Sequence, residues 1–408
     1  MMQQKTPSLR RRWFYLAVGV IAMLFAGILY GWSILKAPFS TEFSWSAPDL
    51  ALNFTIAMCF LCLGGLLGAQ IAKKLGHRIA LLLSALLTAA GFGLTACLSE
   101  ADLRLLYLTY GLMAGLGIGI AYNVVISTVS AWFPDLKGLC SGCLMMGFGA
   151  SALVLGNGAD ALFRSSLGWR KTYVLLGIAI GAVLILAALL LKKPGKDTVL
   201  PRAKKSKAAN AETFDPQELS PARMLRRPSF WLAFVCIAFL AAVGSSVISF
   251  AKDLALSVKA SEALAVTLVG VLSVCNGAGR ILTGAAFDAL GRKKTMLLAN
   301  ALTICAAGLT LLAVSVGSLP LCIGGLCLTG LSYGACSTIT AAFTSSFYGM
   351  KHYADNMALM TFNVMGGSFI ATLSSKLLAS SGGYTAPFVM LLSLTLLALV
   401  LNLCIRKP

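Results

Sequence analysis

Long apolar runs separated by short polar segments dominate this chain. Each run is about 20 residues or longer, which is the length that an α-helix needs to cross the roughly 30 Å hydrocarbon core of a bilayer. The runs lie at roughly 13–38, 48–72, 79–98, 103–132, 138–163, 170–191, 229–251, 262–288, 295–315, 318–347, 354–379 and 384–405. The pattern therefore predicts an all-α membrane protein with twelve transmembrane helices.

One long polar segment divides these runs into two sets of six. Residues 192–228 are rich in lysine, arginine and proline and show no apolar periodicity, which is typical of a linker. The sequence therefore predicts an N-terminal six-helix bundle over 1–191 and a C-terminal six-helix bundle over 229–408. Between them we expect a basic cytoplasmic linker over 192–228, with a short amphipathic helix near 218–226.

The composition agrees with a membrane protein and limits its partners. Hydrophobic residues make up 58% of the chain and charged residues only 12%, about half the charged fraction of a soluble protein. The net charge is +19, but the basic residues concentrate in one set of loops and at both termini, which the positive-inside rule places in the cytoplasm. We therefore interpret the basic excess as an orientation signal and a contact for anionic lipids, and we expect no nucleic-acid binding.

The cysteines do not indicate a metal or cofactor site. Nearly all twelve lie inside apolar runs. Two pairs have CxxC spacing, Cys59 with Cys62 and Cys140 with Cys143, but neither His77 nor His352 lies close to them in the sequence. We interpret these cysteines as small packing residues. Since no nucleophile–base pair is visible either, we expect a protein that is not an enzyme.

Arg280 is the most informative residue, because it lies near the middle of the eighth apolar run. A guanidinium stays charged, and at mid-bilayer depth it costs a few kcal/mol or more. The nearest acid in the run, Asp288, is eight residues away, about 12 Å along a helix. We therefore predict that a substrate carboxylate supplies the anion, gripped bidentately and supported by Asn276 one turn earlier. Alternatively, the Arg280 guanidinium could bind backbone carbonyls or pair with Asp253 or another distant acid.

Several polar and aromatic residues at mid-span depth complete a candidate substrate cavity. Tyrosine hydroxyls can donate to a carboxylate while the ring forms an apolar wall. Packing between helices is the alternative role for each residue. The candidates are Tyr122 and Asn123 in the fourth run, Tyr333 in the tenth, Asn363 in the eleventh, and Tyr30 and Trp32 in the first.

Charged residues at the outer ends of two runs have open roles. Lys36 could attract anions into an outer vestibule or place its amine among lipid headgroups. Lys252 and Asp253 could form a gate pair or a proton-sensitive element. The sequence alone does not separate these alternatives.

The loops after the second and eighth runs resemble each other. The later loop reads Gly284-Ala-Ala-Phe-Asp288-Ala-Leu-Gly291-Arg292-Lys293, and the earlier one reads Ala69-Gln-Ile-Ala-Lys73-Lys-Leu-Gly76-His-Arg78. Matching loops in corresponding halves are typical of transporters built from repeats, so we expect the two bundles to be pseudo-symmetric.

The later loop resembles the conserved loop signature of the major facilitator superfamily, and this resemblance implies a conformational role for Gly284, Asp288, Gly291, Arg292 and Lys293. The earlier copy departs from it, with Lys73 at the acidic position. Further segments resemble the oxalate/formate antiporter branch, which is akin to the monocarboxylate transporters: Tyr30-Gly-Trp-Ser33 with Pro38-Phe39, Gly115-Leu-Gly-Ile-Gly-Ile-Ala-Tyr-Asn123, Trp132-Phe-Pro-Asp-Leu-Lys-Gly138 and Asn276-Gly-Ala-Gly-Arg280.

The resemblance implies a bacterial cytoplasmic-membrane carrier of small organic anions that works by alternating access. Oxalate-type members carry a lysine in span 11, whereas the matching position here is Asn363. One central cation balances one carboxylate, so we expect a monocarboxylate such as lactate, pyruvate or formate. An oxalate/formate-type exchanger is the nearest alternative, and a non-transporting receptor a distant one. We expect a monomer without a cofactor, coupled to a proton or a counter-transported anion.

Overall fold

The computed structural model describes residues 9–133, 137–195, 218–349 and 352–405. Twelve helices in these ranges are long and apolar enough to cross a membrane, judged by length and composition, and the same ranges contain no strand. The prediction of an all-α protein with twelve spans is confirmed. The spans are α1 (Arg11–Glu42), α2 (Ala47–Lys74), α3 (His77–Thr95), α4 (Leu103–Ser130), α5 (Gly142–Arg164), α6 (Gly168–Leu190), α7 (Pro228–Ser257), α8 (Glu262–Phe287), α9 (Ala289–Val316), α10 (Leu319–Tyr348), α11 (Asp355–Ser381) and α12 (Thr385–Cys404).

Local sequence signals fix several of the helix ends. Ser46 and Ser261 have extended backbone angles, and each side-chain oxygen accepts a hydrogen bond from a backbone N–H three residues later, which caps α2 and α8. Gly317 and Gly382 follow α9 and α11 in the left-handed conformation that glycine adopts without a steric penalty. The short loops follow from these start and stop signals.

The two matching loops both turn at a glycine. Gly76 has φ +93° between α2 and α3, and Gly291 has φ +74° within the continuous helical segment that joins α8 to α9. Residues other than glycine rarely adopt these backbone angles. After the second turn, the Arg292 guanidinium lies 4.5 Å from the ring centroid of Phe347 at the end of α10. The side chain of Asp288 lies outside the described part of the chain.

Backbone approach within each set of six helices depends on two further glycines. A Cβ on Gly119 of α4 would lie 2.2 Å from the Leu61 carbonyl oxygen of α2, and a Cβ on Gly279 of α8 would lie 2.2 Å from the Leu331 carbonyl oxygen of α10. Glycine therefore lets helix backbones approach closely in both sets. In the second set it brings the helix that carries Arg280 against α10.

Four of the described spans depart from regular α-helix geometry, and in α4 the segment Tyr107–Ala114 is a π-helix. In α1 the turn over Gly27–Gly31 is a 3-10 helix, and in α5 the turn over Ala152–Gly156 is a π-helix. In α7, Phe250 has φ −135° and ψ 20°, which breaks the helical geometry. Tyr30 lies in the 3-10 segment of α1, so this irregular turn sets the direction of its side chain.

Only the ends of the segment at 192–228 belong to the described residues. A short helix over Pro221–Leu225 lies within the stretch where the sequence predicts one. Just before it, the Leu219 N–H donates to the Tyr348 carbonyl (3.1 Å), and the Leu219 carbonyl accepts from Asn356 Nδ2 (2.9 Å). The C-terminal end of this segment is therefore held against α10 and α11. The division at 1–191, 192–228 and 229–408 stays a prediction.

Candidate functional site

The Arg280 side chain reaches from the second set of six helices into the first. Its Nη1 donates to the Tyr122 hydroxyl of α4 at 3.0 Å, and its Nη2 donates to the Tyr30 hydroxyl of α1 at 3.5 Å. Nη1 also contacts Met145 Sδ of α5 at 2.6 Å. These partners are neutral, and no ion pair of Arg280 occurs among the described residues. The Arg280 guanidinium therefore contacts weak hydrogen-bond acceptors that belong to the first set of helices.

Aromatic rings form the walls around this guanidinium. Tyr30 packs edge-on against Phe148 of α5, with ring centroids 5.1 Å apart, and against Tyr333 of α10, with centroids 6.1 Å apart. Tyr122 also packs edge-on against Phe148, with ring centroids 5.2 Å apart. We call the group Tyr30, Tyr122, Met145, Phe148, Asn276, Arg280 and Tyr333 the central cluster. It combines one fixed charge, three phenol hydroxyls and the amide of Asn276 with apolar side chains.

Two members of the central cluster carry buried polar atoms without a hydrogen-bond partner among the described residues: the Tyr333 hydroxyl and Asn276 Oδ1. Asn276 is 1% exposed and Tyr333 is 3% exposed. Buried polar groups are usually hydrogen-bonded, and an unpaired one costs free energy. A polar ligand can form hydrogen bonds with these unpaired groups and an ion pair with the neighbouring Arg280 guanidinium.

The structure brings together most, but not all, of the side chains that the sequence singled out. Trp32 donates its indole N–H to the Leu50 carbonyl (2.9 Å) and packs on Tyr110 at 4.6 Å between ring centroids. It is fully buried within the first set of helices. This corrects the prediction that Trp32 lines the cavity, because the helical turn that aims Tyr30 at Arg280 aims Trp32 at α2 and α4.

Two predicted asparagines also contact other parts of the molecule. Asn123 lies beside Gly65 of α2, at a distance of 3.9 Å from the position of a Cβ there. Asn363 is buried and donates from Nδ2 to Thr340 Oγ1 (3.0 Å), which joins α11 to α10. Neither makes a hydrogen bond to Arg280 among the described contacts.

Sequence reasoning missed Met145 and Phe148. Both contact polar members of the central cluster, yet neither carries charge or a strong hydrogen-bonding group. They lie in the run Met145-Met-Gly-Phe148, where small and apolar residues alternate as they do in any packed span. The sequence therefore offers no chemical signal that distinguishes them from neighbouring packing residues.

Charged residues join the two sets of helices at the end of the molecule opposite both termini, which we call the far end. Lys36 Nζ of α1 lies 2.7 Å from Asp253 Oδ2 of α7. Lys252 Nζ, also of α7, lies 3.3 Å from Asp160 Oδ1 of α5. These acids and bases, with Arg164 and Glu262, form the far-end ion-pair cluster.

Helix α8 contributes Glu262 to the far-end ion-pair cluster. Arg164 Nη2 of α5 lies 3.1 Å from Glu262 Oε2 of α8, and Glu262 also lies 3.2 Å from Lys252 Nζ. Lys36 and Lys252 are almost fully buried, so their charges need these partners. The Lys36 amine is thus engaged with a carboxylate, and Asp253 is not the counter-ion of Arg280.

A second contact at the far end consists of neutral groups. The Thr55 hydroxyl of α2 donates to the Ser368 carbonyl of α11 at 2.5 Å and lies 2.8 Å from the Thr372 hydroxyl. All three residues are buried or nearly so. Together with the ion pairs, these bonds hold α2 on α11, α1 on α7 and α5 on α8.

Comparison with known proteins assigns this architecture to a family. The family model described as the Major Facilitator Superfamily matches residues 15–361 and 234–408. The chain is similar to the oxalate:formate antiporter of Oxalobacter formigenes, with 26% identity over 91% of this chain and 87% of that protein. It is also similar to monocarboxylate transporter 12 of Homo sapiens, with 24% identity over 88% of this chain and 73% of that protein.

A solved structure agrees with the assignment at the level of the fold. The crystal structure of a D-xylose-proton symporter superposes with a TM-score of 0.70 over 96% of this chain and 98% of that chain, at 14% identity. The predicted resemblance to the oxalate/formate branch and to monocarboxylate transporters is confirmed by the relatives above. This twelve-span membrane protein belongs to the Major Facilitator Superfamily of transporters.

Proposed function

We propose that this protein is a secondary active transporter of small organic anions, with monocarboxylates of the lactate, pyruvate and formate type as substrates. The observation that carries the proposal is the Arg280 guanidinium, which lies between the two sets of helices and has only neutral described partners. A carboxylate accepts two parallel N–H bonds from a guanidinium, and such charge-assisted bonds are about twice as strong as neutral ones. The carboxylate would replace the weak contacts with Met145 Sδ and the phenol hydroxyls.

Charge balance favours a monocarboxylate. Arg280 is the cation of the central cluster, so one carboxylate leaves the occupied site neutral, whereas a dianion would bring a second charge into a low-dielectric surrounding. The nearest alternative is an oxalate/formate-type exchanger, and the similarity to the oxalate:formate antiporter favours it. Asn363, whose amide is engaged with Thr340, is neutral and supplies no second positive charge.

Alternating access between the two sets of helices is the proposed mechanism. The central cluster takes residues from α1, α4, α5, α8 and α10, so relative movement of the two sets changes the contacts around the substrate. The far-end ion-pair cluster and Thr55 hold the far side closed, and the substrate then enters from the side that carries the termini. Movement is favoured once the bound carboxylate has neutralised Arg280, since a neutral pair costs less to desolvate than an isolated charge.

The remaining features of the proposal concern location and coupling. We propose that the protein lies in the cytoplasmic membrane of a bacterial cell, with both termini in the cytoplasm and anionic lipids as contacts; the distribution of basic residues among the loops supports this orientation. We propose a monomer, coupled to a proton or to a counter-transported anion. The loop over Gly284, Asp288, Gly291, Arg292 and Lys293 is proposed to control the conformational change, and the contact of Arg292 with Phe347 supports this role because it links the loop to α10.

Uptake by purified protein in liposomes tests the proposal. Radiolabelled lactate, pyruvate, formate and oxalate are compared for the wild type, Arg280→Ala, Arg280→Lys and the control Arg104→Lys, which changes an exposed arginine at the start of α4. We expect monocarboxylate uptake that is lost in Arg280→Ala and strongly reduced in Arg280→Lys, because lysine lacks the planar fork. Undiminished uptake by Arg280→Ala would exclude the assigned role, and oxalate as the preferred substrate would establish the alternative.

A further inference from the structure

A groove lies on the surface of the second set of helices, where α7 begins and α12 ends. These two spans pack against each other, and both of these ends lie on the side of the molecule that carries the termini. We call it the α7–α12 groove, and its lining residues are Arg226, Pro228, Trp231, Leu232, Val235 and Leu401. Trp231 and Val235 lie one turn apart on the same face of α7, so Arg226 is at the end of the groove furthest from the membrane centre. The groove is therefore apolar along its length and cationic at its outer end.

Trp231 shows how deep the groove lies in the membrane. Its ring is 53% exposed, although it packs against Phe230 with ring centroids 5.1 Å apart. Its indole Nε1 donates to the Leu225 carbonyl at 2.9 Å, so the polar edge of the ring is satisfied by the protein. Tryptophan is enriched at the boundary between headgroups and hydrocarbon, where it presents an apolar face to lipid. The open face of Trp231 is therefore available to an acyl chain.

The arginines at the outer end of the groove lack an acidic partner. Arg223 and Arg226 are exposed, and neither forms an ion pair among the described residues. The sequence contains no Asp or Glu at 219–252 or at 385–408. The nearest acid along the chain, Glu218, lies against Gly349, where a Cβ would be 2.5 Å from its Oε2. The two helices that form the groove therefore supply no counter-ion for these arginines.

The short helix over Pro221–Leu225 holds the two arginines above the groove. Met224 in this helix is fully buried, and its carbonyl accepts from the Arg227 N–H at 3.0 Å. The bonds of Leu219 to α10 and α11 fix the chain just before the helix. The backbone that carries Arg223 and Arg226 is thus ordered without a ligand, which lowers the entropy cost of binding one.

We propose that the α7–α12 groove binds one anionic phospholipid from the leaflet next to the termini. Its phosphate binds Arg226, since a guanidinium can donate two parallel hydrogen bonds to a phosphate. One acyl chain lies along Trp231, Leu232 and Leu401. A free phosphate would leave the apolar walls exposed, and a neutral hydrocarbon would leave the arginines without an anion. This site is more specific than a general attraction of basic loops to the membrane, because it fixes one lipid between two named helices.

Fluorescence quenching by brominated lipids tests the site, because bromine on an acyl chain quenches tryptophan only at close contact. The protein is placed in phosphatidylcholine vesicles that contain the same small fraction of brominated phosphatidylglycerol or brominated phosphatidylcholine. The chain has six tryptophans, so the difference between the wild type and Trp231→Phe isolates the signal of Trp231. Arg226→Gln removes the charge at the groove. Arg104→Gln is the matched control, because it removes the charge of an exposed arginine at the start of α4.

We expect brominated phosphatidylglycerol to quench Trp231 more than brominated phosphatidylcholine in the wild type and in Arg104→Gln. Arg226→Gln should lower the enrichment of phosphatidylglycerol about fivefold, which corresponds to the loss of one arginine near an anionic lipid. Equal quenching by the two lipids in the wild type, or undiminished enrichment in Arg226→Gln, would overturn the proposal. Absence of quenching by either lipid would mean that protein covers the groove, and it would overturn the proposal too.

Native mass spectrometry of the detergent-purified protein gives a second measurement that does not depend on Trp231→Phe. The wild type and Arg104→Gln should retain phosphatidylglycerol in preference to phosphatidylcholine, and Arg226→Gln should lose most of this preference. Equal retention of phosphatidylglycerol by all three proteins would contradict a site at Arg226.

Discussion

Lys36 Nζ lies 2.7 Å from Asp253 Oδ2, so a single ion pair joins α1 of the first set of helices to α7 of the second. The pair lies at the far end, beside the link between Lys252 and Asp160. Lys36 therefore neither extends freely into a vestibule nor ends among lipid headgroups. Adjacent residues of α7 bind opposite charges on two helices of the first set, which is the arrangement of a closure between the sets.

We expect the Lys36–Asp253 pair to be energetically coupled and to influence transport. Lys36→Met, Asp253→Asn and the double variant should give a coupling free energy of unfolding of roughly 1 kcal/mol, the upper range for partly exposed pairs. Thermal unfolding of the purified proteins measures it. Each single variant should also change the transport rate, because the far side closes less firmly.

The pair between Arg170 and Glu42 (3.2 Å) serves as the control, because both residues belong to the first set of helices. Its removal should leave the transport rate unchanged. Additive effects of Lys36→Met and Asp253→Asn, or equal effects on transport from both pairs, would contradict a closing role for Lys36 and Asp253.

Tyr122→Phe should lower the thermal stability of the ligand-free protein more than that of the protein with bound carboxylate. The substitution removes the hydroxyl that accepts from Arg280 Nη1, and hydrogen bonds to charged groups are worth about 1.5–3 kcal/mol. We expect a lower Tm without ligand and a larger rise in Tm on addition of the carboxylate. Tyr107→Phe, which removes a hydroxyl bonded to the Asp49 carbonyl at the start of α2, should lower Tm without enlarging that rise. Equal ligand-induced rises in Tm for both variants would contradict the proposal that the carboxylate replaces the Tyr122 hydroxyl as the partner of Arg280.

Gly279→Ala should damage the site by separating two helices. The added Cβ would lie 2.2 Å from the Leu331 carbonyl oxygen, and overpacking of this kind costs about 1–3 kcal/mol. Because Gly279 precedes Arg280, we expect both the Tm and carboxylate binding to fall. Gly308→Ala is the control, since a Cβ there would have no atom of a neighbouring helix within 4 Å. Comparable Tm values for both variants would show that α8 and α10 can move apart at little cost.

Asn363→Lys should shift selectivity towards dianions. Asn363 is the position at which the resemblance to oxalate-type members implies a lysine, and its side chain joins α10 to α11. A second cation would balance the second carboxylate of oxalate. We expect the ratio of oxalate to lactate inhibition of uptake to rise about tenfold or more, since opposite charges close together in a protein interior interact strongly. An unchanged ratio would mean that position 363 does not face the substrate.

The sequence by itself determined the features that depend on segment length and on the chemistry of single residues. Twelve apolar runs predicted the twelve spans because the bilayer sets the length of a helix. The matching loops after the second and eighth runs were visible in the sequence, and each contains a glycine, Gly76 or Gly291, at the residue that has positive φ. Arg280 was identifiable because an isolated guanidinium is costly in hydrocarbon.

The tertiary structure alone decided which side chains meet. Lys36 pairs with Asp253 and Arg280 reaches Tyr30 and Tyr122 only because two sets of helices pack together, and no local pattern encodes those distances. Trp32 is directed away from the central cluster because it follows the irregular turn at Gly27–Gly31 of α1. Met145 joined the cluster although its chemistry is that of any packing residue, since position, and not residue type, makes its sulfur a partner of the cation.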